Sequence, residues 1–180
     1  MKERLTKLDF GCAFEKHEGW LGSDLNDYGQ EHVGDILDGL RWPDYNFDMI
    51  VAHHSLQMIR FDDLPRALAE LRRILKVGGV LRISVPDALK AVNKYIAGVE
   101  HAFPISDEIE RTADGRFWRY MFWHGDARSA FSYESLEDTL WRNGFQNVRP
   151  CEFKRTHSSY PEIVDLDGRE SESLIVECTR

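Results

Sequence analysis

Apolar and polar positions divide the chain into short strands and a few helices. Residues 5–10 (LTKLDF) alternate apolar with polar side chains and stop at Gly11, as a strand does before a loop. Residues 20–25 (WLGSDL) and 32–36 (HVGDI) predict two further short strands. Residues 47–53 (FDMIVAH) hold a continuous apolar run from Met49 to Ala52, which predicts a strand buried on both faces. The strongest helical period lies over residues 62–75, where Leu64, Leu68, Leu71 and Leu75 share one face with Ala67 and Ile74 beside them. Asp62 or Asp63 is the expected cap, Pro65 suits a first turn, and Gly78-Gly79 is the expected stop.

Beyond it, residues 80–85 (VLRISV) predict a strand ended by Pro86, and residues 88–99 a helix. Residues 101–125 look irregular and carry Phe117, Trp118, Tyr120, Phe122 and Trp123. Residues 133–142 predict a helix with Ser132 as cap and Asn143-Gly144 as stop. Residues 148–153 and 174–178 are the last predicted strands, with a polar excursion over 154–173. No helical pattern separates them, so they are expected to pair antiparallel at an edge.

Strands that alternate with helices predict an α/β fold built on a parallel sheet. Such sheets bind ligands outside the carboxyl ends of their strands, near the point where strand order reverses. Gly11, Asp24, His53 and Pro86 are those ends. The small residues of Gly11-Cys12-Ala13 let a ligand approach the backbone closely. Asp24 can accept hydrogen bonds from two ribose hydroxyls, and Asp35 can meet an adenine amino group.

Composition narrows the classes. Lys plus Arg number 23 against 31 Asp plus Glu, a net charge of −8, which disfavours phosphate backbones and anionic membranes as partners. A length of 180 residues suits one domain, 1–180, and 42% hydrophobic content suits a packed core. Cys12, Cys151 and Cys178 are too scattered for a disulfide framework, and no Cys/His/Asp spacing predicts a metal. The charged start MKERLTKLDF lacks a signal-peptide core, and no apolar run reaches the ~20 residues of a membrane span. The expectation is an acidic, cytoplasmic protein. Hydrolase and triphosphatase readings have no G-x-S-x-G or P-loop motif, and a dinucleotide oxidoreductase lacks G-x-G-x-x-G after Gly11.

The series of motifs resembles the class I S-adenosylmethionine-dependent methyltransferases, most closely the short, methyltransferase type 11-like members. LDFGCA is similar to the family's first motif, SDL to its ribose-binding motif and GDI to its adenine-side motif. NFDMIVAHHSLQMI resembles the fourth-strand motif, ELRRILKVGGVLRISVPD the helix and fifth strand, and FSYESLEDTLWRNGF with NV the late helix and strand. The resemblance implies a Rossmann-like seven-strand sheet, mostly parallel with one reversed strand. It implies S-adenosylmethionine as cofactor, held by Asp9, Gly11, Cys12, Ala13, Asp24, Leu25, Asp35, Ile36 and His53. Ala13 stands where relatives carry a second glycine. Only eight residues, 12–19, separate the first two strands, so the first crossover is contracted and its helix lost or cut to one turn.

The chemistry implied is methyl transfer to a small-molecule or glycan-type acceptor, with His54 or His124 able to take a proton and Asp87 able to bind acceptor. Residues 101–125 are a candidate lid. The alternative is a catalytically inactive methyltransferase-like binding or scaffold protein, favoured by the short crossover, by Ala13 and by Gln57-Met58, where many relatives carry Glu-His. Oligomeric state has no signal in the sequence.

Overall fold

One sheet of seven strands organises the protein in a computed structural model, which describes residues 5–99 and 101–180. The expectation drawn from the charged start falls partly on residues 1–4, which lie outside them. The strands are β1 (Lys7–Phe10), β2 (Leu21–Asp24), β3 (His32–Val33), β4 (Phe47–His53), β5 (Leu75–Pro86), β6 (Gln146–Cys151) and β7 (Ser173–Thr179). They lie in the order β3-β2-β1-β4-β5-β7-β6. The first five run parallel, and β7 runs antiparallel to both of its neighbours. The mostly parallel sheet with one reversed strand is therefore present, and strand order reverses between β1 and β4.

Among the described residues, four α-helices accompany the sheet: α1 (Leu64–Ile74), α2 (Ala88–Ile96), α3 (Ala113–Met121) and α4 (Tyr133–Arg142). The apolar stripe of α1 is fully used, since Leu64, Ala67, Leu68, Leu71 and Ile74 are all buried. With Leu136 and Leu140 of α4 they cover Leu8, Ile50, Leu81 and Ile83 on one face of the sheet. Each such side chain contributes about 1.5–3 kcal/mol when fully buried.

The opposite face is covered differently. Between β1 and β2, residues 11–20 form turns and no helix, as the contracted crossover predicts. Trp20, Met49, Val51 and Val80 pack there against Ile163 and Leu166 of the long excursion before β7. The excursion is pinned by charge. Arg82, 1% exposed, gives its guanidinium to both carboxylate oxygens of Asp167 at 2.6 Å and to Glu177 at 2.6 Å. Glu177 also accepts the Thr156 hydroxyl and the His157 backbone N–H.

Several local expectations change. Gly78-Gly79 does not stop α1, which ends at Ile74 with the chain entering β5 at once. Phe47 pairs with Leu75 but Met49 with Val80, so residues 76–79 bulge from the ladder, and the glycines serve that turn. Asp62 and Asp63 sit in a short 3₁₀ turn, and Asp63 makes no side-chain cap bond. The 101–125 segment is not irregular throughout: Thr112 caps α3, whose Phe117 and Tyr120 form a small core with Ala91, Phe103 and Ile105. β3 is only two residues long, which places Asp35 and Ile36 in the turn that follows it.

Candidate functional site

At the carboxyl ends of β1, β2 and β3 lies a cavity of about 610 Å³. Gly11, Ala13, Asp24, Leu25, Asp35 and Ile36 line it. Gly11 has φ +76°, and a Cβ there would meet the Ser55 Cβ at 2.3 Å, so the turn leaving β1 excludes any side chain. Ala13 takes φ 49°, a left-handed backbone in the place where relatives carry glycine. Asp24 orders the turn: its Oδ2 accepts the Ala13 N–H at 2.9 Å and its Oδ1 the Asn26 N–H at 3.0 Å. Each carboxylate oxygen keeps further acceptor capacity. Asp35 Oδ1 accepts the Leu37 N–H at 2.9 Å and caps the Ile36–Asp38 turn. The buried Ser55 hydroxyl, on the same wall, has no protein partner.

Asp9, Cys12 and His53 do not line this cavity. Side chains alternate across a strand, so Leu8 and Phe10 turn toward α1 while Asp9 turns to the other face. Asp9 and Cys12 line a separate cleft with His17, whose Nε2 lies 3.8 Å from Asp9. Burial pushes the Asp9 carboxyl up to about 6, against the pull of His17. Burial likewise pushes the Cys12 thiol up to about 11. The His53 ring lies against Gly168, its Nδ1 buried without a partner, and burial lowers its pKa.

A second, tighter cavity adjoins the first, and His54 and Met58 line both. His54 follows β4 with φ 48°, and its backbone N–H reaches the Ser84 carbonyl at 2.8 Å. Its Nε2 lies 2.8 Å from Ser173 Oγ, at the start of β7. Burial, then the neighbouring His53 and Arg169, push its pKa down to about 3, so the ring is neutral. Gln57 donates from Nε2 to the His54 carbonyl at 2.7 Å, which leaves its buried Oε1 as an unpartnered acceptor. Ser129 holds its backbone N–H on the Gln57 carbonyl, while its buried Oγ is unpartnered. Trp123 and Tyr120 form the aromatic wall; Arg169 lies 5.0 Å from the Trp123 ring, and Glu172 accepts the Tyr120 hydroxyl at 3.0 Å.

Two expected acceptor-side residues fall elsewhere. Asp87 is the cap of α2, accepting the Lys90 N–H at 3.0 Å, and does not line the cavity beside His54. His124 is exposed at a backbone kink with φ 58° and is also absent from that wall, because the kink turns it away where Trp123 turns in. Arg116 and Arg119 reach residues 107–110 instead. Ser55, Ser129, Arg169, Glu172 and Ser173 were not legible as site residues. Three of them arrive on the polar excursion, 119 positions from His54 in the case of Ser173. Among the described residues, no group of three or more His, Cys, Asp or Glu side chains is placed to hold a metal. No helix among them is long and apolar enough to cross a membrane.

A family model described as a methyltransferase domain matches residues 3–149. A probable methyltransferase of Aspergillus luteorubrus, ltbC, is 36% identical over 87 residues, which is 48% of this chain and 27% of that protein. The match thus spans about a quarter of the length of that curated relative. Among solved structures, a SAM-dependent methyltransferase from Archaeoglobus fulgidus superposes with TM-score 0.60 at 15% identity, over 99% of this chain and 87% of that one. One from Methanosarcina mazei gives 0.59 at 18% identity, over 100% and 94%. A Haemonchus contortus phosphoethanolamine N-methyltransferase 2, in complex with S-adenosyl-L-methionine, gives 0.55 at 14% identity, over 100% and 49%.

Proposed function

We infer the chemistry from one premise: this chain belongs to the methyltransferase domain family. It transfers a methyl group from S-adenosylmethionine to a small-molecule or glycan-type acceptor. The observation that carries this reading is the pair of adjoining cavities that share His54 and Met58. The larger has the volume, the Gly11 turn and the free acceptor capacity of Asp24 that suit a ribose-bearing cofactor. The bound cofactor supplies an electrophilic methyl on sulfur. The chain supplies position: Asp24 and Asp35 hold one end, while the wall of His54 and Met58 faces both methyl donor and acceptor. Tyr120 and Trp123 exclude water from the acceptor side.

A methyltransferase-like binding protein is the second reading. It is favoured by the absence of a helix from residues 11–20, because a helix N-terminus there would offer free N–H groups to a carboxylate. Calorimetry with S-adenosylhomocysteine tests the cofactor site. The expected result is saturable heat and a rise in melting temperature, with none for NAD. No heat and no shift at millimolar S-adenosylhomocysteine overturns it. Binding with no methyl transfer to any acceptor class favours the second reading.

A further inference from the structure

The acceptor cavity has a polarity that selects among nucleophiles. Gln57 and Ser129 are 4% and 6% exposed, and their unpartnered side-chain oxygens are sealed within a wall that is otherwise mostly apolar. The orientation of the Gln57 amide is fixed, because only its NH₂ can donate to the His54 carbonyl. The charges nearby are already engaged: Arg169 lies on the Trp123 face and pairs with Glu172, which also holds the Tyr120 hydroxyl. An anion would meet a mostly apolar wall with Arg169 already paired, and a cation would have to displace Arg169. A neutral hydroxyl compound meets neither penalty, and unlike a neutral amine it needs a base to take its proton as it attacks.

His54 supplies the matching acceptor. Ser173 Oγ lies 2.9 Å from the Arg169 carbonyl and 2.8 Å from His54 Nε2. A carbonyl only accepts, so the single Ser173 proton goes to Arg169. The contact to His54 is then satisfied only by Nε2–H donating to Ser173 Oγ. That fixes the tautomer and leaves the lone pair on Nδ1. Among the described residues Nδ1 has no protein partner, and it is not one of the sealed unpartnered atoms.

We propose that this cavity takes a small neutral hydroxyl compound as methyl acceptor, with Ser173 holding His54 in the tautomer whose bare Nδ1 receives the hydroxyl proton. The proposal rests on the methyltransferase reading above. In the step, the acceptor oxygen forms a bond to the methyl carbon and the carbon–sulfur bond breaks, its electron pair staying on sulfur. The oxygen loses its proton to His54 Nδ1, so a neutral ether, S-adenosylhomocysteine and an imidazolium leave the transition state. The proton grows far more acidic as the carbon–oxygen bond forms, so a weakly basic, buried imidazole suffices. Ser173 acts only through His54 and is a positioning residue.

Nitrogen-15 NMR of the histidine rings in the full chain, with His54 assigned by its loss in His54→Gln, tests the tautomer. The expected native spectrum shows His54 protonated on Nε2. Ser173→Ala is expected to mix the tautomers, and Ser173→Thr to restore the native one. An Nδ1-protonated native ring, or no change in folded Ser173→Ala, overturns the positioning role. For the acceptor class, release of S-adenosylhomocysteine from S-adenosylmethionine is measured with phenol, catechol, aniline and benzoate. Turnover is expected with the hydroxyl compounds alone, with kcat falling roughly tenfold or more in Ser173→Ala at little change in KM and returning in Ser173→Thr. Preference for aniline or benzoate overturns the class, as does no turnover of either hydroxyl compound while S-adenosylhomocysteine binds. Failure of S-adenosylhomocysteine to bind removes the methyltransferase reading and the acceptor class with it. The tautomer result then still decides the Ser173 role by itself.

Discussion

The two faces of the sheet solve the same packing problem with different chemistry. One face buries Leu64, Leu68, Leu71 and Leu140 from two amphipathic helices against Leu8, Ile50 and Ile83. The other has no helix over β1 and β2, and an irregular excursion covers it through Ile163, Leu166 and the Arg82–Asp167–Glu177 cluster. Apolar contact is tolerant of exchange, because any side chain of similar volume regains most of the burial. A buried ion cluster is intolerant, because removal of one member leaves its partner charged and dry. The helical face should therefore bend under mutation where the looped face breaks.

The largest effect follows from that contrast. Asp167→Ala leaves the Arg82 guanidinium, 1% exposed, with Glu177 as its remaining ion partner, and should cost about 3–5 kcal/mol. Leu68→Ala should cost about 2–5 kcal/mol through its cavity. The two separate in rescue: Arg82→Met added to Asp167→Ala should regain at least about 1 kcal/mol, as coupled sites do. Leu68→Met alone should stay within about 1.5 kcal/mol of the native protein. Urea unfolding measures these four and Arg82→Met alone, and strictly additive Arg82 and Asp167 effects would sink the contrast.

Asp9 gives the next effect, again on the looped face. Its carboxyl is raised from 3.8 to about 6, first by burial, so the native state binds its proton more tightly than the unfolded chain does. This contribution to stability is full below about pH 4 and is lost as pH rises through about 6. Asp9→Asn should remove that slope and stabilise the protein above pH 7 by up to about 3 kcal/mol. Unfolding free energies taken between pH 4 and 8 check the sign. A native curve parallel to that of Asp9→Asn would show that Asp9 titrates normally.

Asp24 sits where the strand ends turn into the site, and its effect is smaller. Asp24→Ala should weaken S-adenosylhomocysteine binding by more than tenfold, about 1.4 kcal/mol, since charge-assisted bonds to ribose hydroxyls are lost. It also releases the Ala13 and Asn26 N–H groups into solvent, which limits the stability cost. An unchanged dissociation constant in the folded variant would reduce Asp24 to a turn-orienting residue.

What was legible in the sequence divides along the same line. The residues of α1 and α4 announce themselves by a 3.6-residue period, and Phe47–His53 by an unbroken apolar run. The Gly11, Asp24 and Asp35 wall was legible because strand ends in a parallel sheet are fixed by local pattern. The looped face was not, because Arg82, Asp167 and Glu177 meet only across 85 and 95 positions and have no period. The expectation that Asp9, Cys12 and His53 share the cavity of Gly11 and Asp24 is not met for a related reason. Asp9 and His53 lie at strand ends where side-chain alternation sends them to the opposite face, and the left-handed turn at Gly11 carries Cys12 there. Asp87 and His124 are not on the wall beside His54 because local backbone demands, a helix cap and a kink, decide where they point.

The smallest effect lies in residues 101–125, where the same contrast recurs within one segment. Phe103, Phe117 and Tyr120 are packed with Ala91 into a core, and Phe117 stacks on Tyr95 with centroids 4.8 Å apart. Such packing predicts slow amide exchange in every state. The turn Trp123–Gly125 differs: Trp123 and His124 both hold positive φ, 43° and 58°, a conformation that costs a bulky side chain free energy and persists only when neighbours enforce it. The Arg169 contact to Trp123 is one such neighbour, and it comes from the looped excursion. The lid is therefore expected to be the turn alone, hinged at the end of α3, and not the whole aromatic segment. Hydrogen exchange should show α3 protected with or without S-adenosylhomocysteine, while amides 122–127 exchange fast in the free protein and slow when cofactor and acceptor are both bound. Arg169→Ala should raise the exchange of the turn and leave α3 unchanged. Equal protection of turn and helix in the free protein would make the segment fixed core throughout, and the acceptor would then have to enter past Arg128 on the cofactor side.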